Sequence, residues 1–316
     1  MSTKTAERQA TGSGMERFNS IRTGTNIGYS AMFILLALLC VIPVIFVIII
    51  SFSSESSIAK VGYSFMPAEW STGAYTYVWH LRNNQGIPTV VVSFFNSVGI
   101  TVVGTLLGLT LISTMGYVLS RRNFKLRGVY TTLIFIPMIF SGGLLSTYVV
   151  NTQLLMLKNT YWAVILPLCC SSFYVIIMRT FFQTTVPDEI IESGKVDGAS
   201  QLRIFAQLVL PISLPALATI ALFLTFAYWN DWYQASLYIE SNRHDLFPLQ
   251  YVLVNIEKNI QFLASNDMAM SANTAELPSE TVRMAIVVVS VTPIMFSYPF
   301  FQKYFISGLT IGAVKG

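Results

Sequence analysis

Six long apolar stretches dominate the chain and restrict what it can fold into. They cover approximately residues 27–52, 91–119, 129–150, 161–182, 213–239 and 281–301. Each has at least the length of about 20 residues that an α-helix needs to cross roughly 30 Å of hydrocarbon. The alternation of apolar and polar residues that is typical of membrane barrel strands is missing. The sequence therefore predicts an all-α polytopic membrane protein with six transmembrane helices.

The composition supports a membrane protein without a large soluble domain. Charged residues make up 11% of the 316 residues, against about a quarter in an ordinary soluble domain, and the mean hydropathy is +0.60. Residues 27–301 are predicted to form the membrane domain. The polar, Ser/Thr/Gly-rich residues 1–26 are interpreted as a disordered cytoplasmic tail, and residues 302–316 as a cytoplasmic C-terminal tail.

The distribution of basic residues predicts the orientation in the membrane. Cytoplasmic loops retain lysine and arginine during insertion, and one short loop holds Arg121, Arg122, Lys125 and Arg127. Placing this loop in the cytoplasm also puts both chain termini there, together with the polar stretch at 186–211. Bacterial plasma membrane is the expected location.

The second apolar stretch contains Gly104 and Gly108 in G-x-x-x-G spacing. Glycines four residues apart allow two helix backbones to approach closely. Because such contacts are routine in polytopic proteins, we expect packing inside this bundle rather than a dedicated dimer interface.

Local signals in the polar stretch predict a helix–turn–helix. Thr185 and Asp188 resemble a capping box that would start a helix at 187–195. Gly198 suits a tight turn, and Ser200 can cap a second helix at 201–210 that ends before Pro211.

One side of this predicted hairpin carries small residues, so another protein could approach its backbone. The small residues are Ser193, Gly194, Gly198 and Ala199. Ile190 and Ile191 would be apolar anchors, and Glu192 and Asp197 would offer charges to a basic partner. A solvated hairpin that only links two spans is the alternative, and the spacing alone does not decide between them.

The stretch "EIIESGKVDGASQLRIFAQLVLPISLP" resembles the cytoplasmic loop of importer-type ABC permeases. The matching positions are Glu192, Asp197, Gly198, Ala199, Phe205, Leu210, Pro211 and Pro215. Ser193 and Gly194 replace the usual Ala-Ala pair, and they remain small. "YWNDWYQASLYI" at 228–239 is similar to the end of the fifth span of carbohydrate-importing permeases. "QKYFISGLTIGAVKG" at 302–316 is similar to the tail of the shorter, six-span permease of the maltose-type class.

The resemblance implies a type I ABC importer permease fold and a carbohydrate, expected as an oligosaccharide, as the transported solute. It implies a second homologous permease subunit, two ATPase subunits and an extracytoplasmic solute-binding protein as partners, besides membrane lipids; nucleic acid is not expected. ATP and Mg would bind the ATPase subunits, with no cofactor on this chain, which has no G-x-x-x-x-G-K-[ST] phosphate loop. The loop at 186–211 would be the coupling helix that contacts an ATPase subunit. Its contacting residues would be Ile190, Ile191, Glu192, Ser193, Gly194, Asp197, Gly198, Ala199, Phe205 and Pro211.

Aromatic and polar residues at the outer end of the fifth stretch are candidates for the substrate path or a gate. They are Tyr228, Trp229, Asn230, Asp231 and Trp232. Aromatic rings suit sugar faces, and an ionisable residue inside a span is a functional candidate. An interfacial aromatic belt is the competing interpretation.

Two further segments are candidates for contact with partner proteins. The outer loop at 240–280 shows no apolar periodicity in our reading, and we expect either contact with the binding protein or a variable insertion. In the C-terminal tail, the resemblance implies contact of Gly312, Ala313 and Lys315 with the ATPase subunits. Gly308, Gly312 and Gly316 would keep this tail extended.

An ion-coupled carrier and an intramembrane enzyme are the alternative functions. A carrier needs charged or broken-helix ion sites near the midplane, and the spans hold almost no charges. An enzyme needs a nucleophile–base or metal constellation at membrane depth, and neither His80 nor His244 lies in a predicted span. We therefore predict no catalytic residue and no metal site.

Overall fold

The structure is a computed structural model that describes residues 23–82, 86, 88–265 and 279–313. Within these ranges every regular element is a helix, and β-type pairing is confined to two isolated bridges, Ser53 with Trp70 and Arg82 with Pro88. The predicted all-α fold class is confirmed.

Fifteen helices are defined in the described ranges. They are α1 (Thr23–Ser51), α2 (Glu55–Val61), α3 (Gly73–His80), α4 (Thr89–Ser120), α5 (Arg127–Ile139), α6 (Gly143–Val149), α7 (Tyr161–Cys169), α8 (Ser172–Thr185), α9 (Asp188–Val196), α10 (Gln201–Ile204), α11 (Leu210–Ile212), α12 (Leu214–Asn230), α13 (Tyr233–Tyr238), α14 (Leu249–Ser265) and α15 (Ser279–Ala313). A π-helical turn, Val150–Leu154, extends α6, and a second one, Phe205–Val209, joins α10 to α11.

Three helices, α1, α4 and α15, are long and apolar enough to cross a membrane without interruption. Three further candidates are bent pairs of helices: α5 with α6 by 120°, α7 with α8 by 45°, and α12 with the α10–α11 segment before it, which also belongs to the polar stretch at 186–211, by 83°. The chain makes up to six crossings if each pair counts as one span. The segments predicted at 129–150 and 161–182 are therefore interrupted helices, and in the segment at 213–239 α12 ends at Asn230.

The breaks have local causes. Pro137 and Pro167 lie inside α5 and α7, and each lacks the N–H that an interior helical residue donates. Gly143 has a φ of +81°, a left-handed conformation that disrupts a right-handed helix. Pro215 stands in the first turn of α12, where a missing N–H costs nothing.

Helix α4 is the centre of the bundle and packs most extensively against α8 and α12. A side chain on Gly104 would place its Cβ 2.6 Å from Cε2 of Tyr228, and one on Gly108 would meet the Cys169 carbonyl oxygen at 2.7 Å. Both glycines thus allow close packing inside this chain, which confirms the prediction for the G-x-x-x-G pair.

The ends of the membrane domain differ from the prediction. Helix α1 begins at Thr23, so residues 23–26, which were assigned to the disordered tail, are helical; residues 1–22 lie outside the described ranges. Helix α15 continues to Ala313, so the backbone around Gly308 and Gly312 is helical and not extended. A glycine inside a helix costs only about 1 kcal/mol relative to alanine, which is too little to end a helix of this length.

The outer loop at 240–280 contains helix α14, which the sequence reading missed. Its buried apolar residues are Leu249, Val252, Leu253 and Ile256. The spacing of three, four and seven residues places them on one helical face. The stated lack of apolar periodicity was therefore wrong for 249–265, and residues 266–278 lie outside the described part of the chain.

Candidate functional site

The polar stretch at 186–211 forms a helical hairpin, as predicted, but its second arm contains the π-helical turn and does not end before Pro211, which lies inside α11. Helix α9 ends at a turn in which Gly198 has a φ of +72°, a conformation that favours glycine. The Ser200 side chain caps α10 by accepting a hydrogen bond from the Arg203 N–H at 3.3 Å. The capping box was wrong: Pro187 is the N-cap without a side-chain hydrogen bond, and Asp188 pairs with Arg121 instead.

The inner side of the hairpin is packed within this chain. Ile191 is only 4% exposed. A Cβ on Gly194 would lie 3.1 Å from Cγ1 of Ile204, and so glycine at this position allows α9 and α10 to pack closely. Phe205 is also buried, with its ring centroid 4.9 Å from that of Tyr117. Ile191, Gly194 and Phe205 therefore stabilise the hairpin and are not accessible to a partner.

The outer side of the hairpin exposes two apolar side chains that the sequence reading missed. Val196 is 86% exposed and Leu202 is 78% exposed, on either side of the Gly198 turn. We define the hairpin tip as the exposed residues Glu192, Ser193, Val196, Asp197, Gly198 and Leu202. Among the other predicted contact residues, Pro211 is exposed but lies in α11, and Ile190 and Ala199 are half-buried.

A helical projection could have identified Val196. It follows Glu192 by four residues and Ser193 by three, and residues at these spacings are neighbours on a helix surface. Single exposed apolar side chains are common on protein surfaces, whereas Val196 and Leu202 are exposed on both sides of one turn, which makes the hairpin tip a candidate surface for contact with another protein.

Arg121 connects the hairpin to the centre of the bundle. Its Nη1 atom lies 3.1 Å from Oδ1 of Asp188, and its Nη2 atom donates to the Phe182 carbonyl oxygen at 3.3 Å. The guanidinium also lies 5.2 Å from the ring centroid of Tyr117. The end of α4 at Ser120 is thus joined to the end of α8 and to the start of α9. Sequence reasoning missed this role because Arg121 and Asp188 are 67 positions apart.

Two of the five aromatic-segment candidates are structural. Tyr228 is 2% exposed and donates its hydroxyl hydrogen to the Ile165 carbonyl oxygen at 2.8 Å. Trp229 is 5% exposed and donates from Nε1 to the Ser290 carbonyl oxygen at 3.0 Å. These bonds hold α12 against α7 and α15, and so neither ring is free to contact a solute.

The other three candidates lie where α12 breaks. Asn230 ends the helix, and its Nδ2 donates to the Phe226 carbonyl oxygen at 2.9 Å. Asp231 accepts from the Gln234 N–H at 3.4 Å through Oδ1, while Oδ2 is buried without a hydrogen-bond partner among the described residues. Trp232 is exposed, with Nζ of Lys258 5.3 Å from its ring centroid.

The length of α12 indicates that this break lies inside the hydrocarbon core, close to one of its surfaces, if the helix begins at the other. Helix α12 has 17 residues, which is about 25 Å at 1.5 Å per residue, whereas the hydrocarbon core is roughly 30 Å thick. A buried carboxylate oxygen without a partner at that position is a candidate for binding a polar solute or for a gate.

On the predicted outer side, a polar network joins three helices. Arg283 of α15 pairs with Glu257 of α14 at 3.2 Å and with Glu280 at 2.9 Å. The Tyr63 hydroxyl donates to Glu280, and this hydrogen bond, together with burial, raises the pKa of Tyr63 above its usual value. Glu55 of α2 accepts hydrogen bonds from the backbone N–H groups of Glu280 and Thr281 at the start of α15. Helix α14 is therefore anchored to the bundle.

No metal centre is found in the described ranges, since no three His, Cys, Asp or Glu side chains there lie close enough to share an ion. The bundle of apolar helices long enough to cross a membrane, with a structured polar hairpin beside it, defines an integral membrane protein. Residues 112–311 match the family described as binding-protein-dependent transport system inner membrane component, and the chain belongs to this family.

Similar proteins cover nearly the whole chain. Protein LplC of Bacillus subtilis (strain 168) is 38% identical over 276 residues, which is 87% of this chain and 90% of that protein. The polygalacturonan/rhamnogalacturonan transport system permease protein YtcP of the same strain is 37% identical over 292 residues, covering 92% and 96%. A chain from the crystal structure of a bacterial ABC transporter involved in the import of the acidic polysaccharide alginate aligns with a TM-score of 0.74 and 27% identity, over 90% of this chain and 99% of that chain.

The family assignment settles the class of molecule. The fold is that of a type I ABC importer permease, and the chain is an inner membrane component of a bacterial ABC transporter. Such a component works with a partner permease, an ATPase and a solute-binding protein. Because the ATPase is a separate subunit in this family, the chain is a transport subunit and not an enzyme.

Proposed function

We propose that this chain is one permease subunit of an ATP-driven importer for a carbohydrate, and that the hairpin tip contacts an ATPase subunit. The observation that carries the contact is the exposure of Val196 and Leu202 on a hairpin whose opposite side is fully packed. Exposed apolar side chains on a rigid support are suited to insert into a groove of another protein.

The connection of the hairpin to the spans supports a mechanical role. Arg121 bonds to both Asp188 and the Phe182 carbonyl, and Phe205 packs on Tyr117. A displacement of the tip would therefore move α4 and α8 with it, since packed interfaces shift as rigid bodies. Closure of an ATPase dimer would in this way open the substrate path alternately to the two sides of the membrane. Interrupted helices also occur in ion-coupled carriers, but the family match supports a binding-protein-dependent, ATP-driven importer over proton or ion coupling.

We also propose which subunits are the partners of this chain and how the chain is oriented in the membrane. The partners are a second homologous permease, two ATPase subunits and an extracytoplasmic solute-binding protein, with both chain termini in the cytoplasm. The basic loop at 121–127 supports the orientation. Helix α5 buries none of its side chains within this chain, which leaves a face for the second permease or for lipid. Contact of Gly312, Ala313 and Lys315 with the ATPase is also proposed; Lys315 lies outside the described residues.

The transported carbohydrate is proposed to be an oligosaccharide, with uronate-containing chains as the first to test. Similarity to a permease named for polygalacturonan and rhamnogalacturonan, and to a transporter of alginate, supports this choice.

The function is tested by purifying the assembled complex through a tag on this chain and reconstituting it in vesicles with its binding protein. We expect a second permease and an ATPase subunit to co-purify, and ATP-dependent uptake of oligogalacturonate in preference to a neutral maltooligosaccharide. Preferred uptake of the neutral sugar would contradict the uronate assignment. Uptake driven by an ion gradient without ATP would contradict the importer mechanism.

Asp231→Asn is expected to reduce uptake about ten- to 100-fold while the subunits still assemble. The change removes the charge of a buried carboxylate whose Oδ2 has no partner in the described structure, and a hydrogen bond to a charged group contributes about 1.5–3 kcal/mol. The matched control is Asp245→Asn, because Asp245 forms an exposed ion pair with Arg243, and such pairs contribute about 0–1 kcal/mol. Equal uptake by both variants would assign Asp231 to interfacial packing.

A further inference from the structure

A polar pocket lies beside the hairpin at the ends of the spans. It has a volume of about 220 Å³ and is lined by Ser120, Arg121, Arg122, Arg127, Gln183 and Asp188. Helix α4 ends at Ser120, and α5 begins at Arg127. Because one crossing ends and the next begins at this level, the pocket lies at the depth of the lipid headgroups.

Positive charge in this basic pocket is not compensated within the chain. Asp188 is the only carboxylate that lines it, and this carboxylate is paired with Arg121. The side chains of Arg122 and Arg127 have no hydrogen-bond or ion-pair partner among the described residues. Arg179, which donates from Nε to the Leu119 carbonyl oxygen at 3.3 Å, adds a further charge that interacts unfavourably with Arg127. An anion in the pocket would relieve this repulsion.

We propose that the basic pocket binds a phosphate group, supplied by the headgroup of an anionic phospholipid. Arginine presents several N–H donors in a planar fork that matches phosphate oxygens. Gln183 provides a neutral hydrogen-bonding group on the same lining, whereas the Ser120 hydroxyl is already bonded to the Tyr117 carbonyl oxygen and to Arg121. This site goes beyond the proposed transport function, because it involves neither the transported solute nor the hairpin tip.

The surroundings favour a lipid over a soluble anion or a protein side chain. Helix α5, which begins at Arg127, leaves Val129, Leu133 and Ile136 exposed. A lipid whose phosphate occupies the pocket can therefore place its acyl chains along the apolar surface of α5. Basic pockets between membrane helices on the cytoplasmic side bind anionic headgroups in this way, and the predicted orientation puts the pocket on that side.

The test compares the assembled complex in vesicles of phosphatidylcholine alone and of phosphatidylcholine with phosphatidylglycerol. Phosphatidylglycerol is expected to raise the unfolding temperature of the unmodified protein, since a ligand that binds only the folded state stabilises it. The variant with both Arg122→Gln and Arg127→Gln should bind this lipid about 25-fold more weakly, at about 5-fold for each arginine near the membrane surface. Lys125→Gln is the matched control, because Lys125 lies in the same loop but does not line the pocket. Native mass spectrometry should find phosphatidylglycerol retained by the unmodified protein and the control, and lost from the double variant.

Three results would overturn the assignment. Equal stabilisation of the double variant by phosphatidylglycerol would mean that the arginines do not bind the lipid. Inorganic phosphate that fully reproduces the stabilisation in phosphatidylcholine vesicles would make a free anion the ligand. Loss of the ATPase subunit from the double variant, with lipid retention unchanged, would assign the arginines to a protein contact. Loss of lipid binding with normal ATP-dependent uptake would leave the proposed transport function intact.

Discussion

Val196→Asp is expected to separate this permease from its ATPase subunit while the permease itself stays folded. The side chain is 86% exposed, so the substitution removes little packing within the chain. In the proposed contact it would bury an unpaired carboxylate in place of an apolar anchor. Truncation of such anchors costs about 2–4 kcal/mol, which is roughly a 30- to 1,000-fold loss of affinity, and a buried unpaired charge adds to that cost. The measurement is the amount of ATPase subunit that co-elutes with the permease, together with substrate-stimulated ATP hydrolysis.

The control for this prediction is Leu126→Asp. Leu126 is 53% exposed and lies in the loop between α4 and α5, outside the hairpin tip. We expect normal co-elution with this variant. If Val196→Asp also leaves the complex and its ATPase stimulation unchanged, the hairpin tip does not hold the ATPase, and the coupling proposal fails.

Gly104→Leu is expected to prevent stable folding of the bundle. The added Cβ would lie 2.6 Å from Cε2 of Tyr228, whose ring is fully buried and fixed by its hydrogen bond to Ile165. The ring cannot move without breaking that bond, and the two central helices would have to separate. Overpacking of this kind costs about 1–3 kcal/mol or more, which is a large share of the stability of a typical protein.

The matched control is Gly99→Leu in the same helix, because a Cβ on Gly99 meets no atom within 4 Å. Leucine is a better helix former than glycine by nearly 1 kcal/mol, so this variant should be at least as stable as the parent. Thermal unfolding and the yield of monodisperse protein in detergent distinguish the two variants. Equal stability of both would contradict the close contact of α4 with α12.

Hydropathy predicted where the crossings lie but not their shape. A run of apolar residues shows that a segment prefers lipid, and this preference is the same for a straight and a bent helix. Pro43 and Pro137 both lie inside helices, yet α1 continues past Pro43, whereas the chain turns by 120° after α5. The difference coincides with Gly143, whose φ of +81° stands between α5 and the rest of the pair.

In the hairpin, too, the sequence predicted some features and left others to the tertiary structure. Gly198 and Ser200 have the roles that their sequence positions predict, since turns and caps depend on neighbouring residues. Which side of α9 is exposed was not predicted: Ile191 and Gly194 pack inward, and Val196 points outward. That choice follows from the close approach of Gly194 to Ile204 and Leu208 after the chain has turned back.

The sequence by itself determined the helical membrane class, the approximate crossings and the presence of a polar hairpin, because these depend on composition and on contacts between residues close in the chain. Only the tertiary structure decided that Tyr228 and Trp229 are packing residues, that Arg121 joins the hairpin to α4, and that unpaired arginines surround one pocket. Their partners lie some 60 positions or more away in most cases. The free energy of burying a side chain depends on what surrounds it, and distant segments supply those surroundings only when the chain folds.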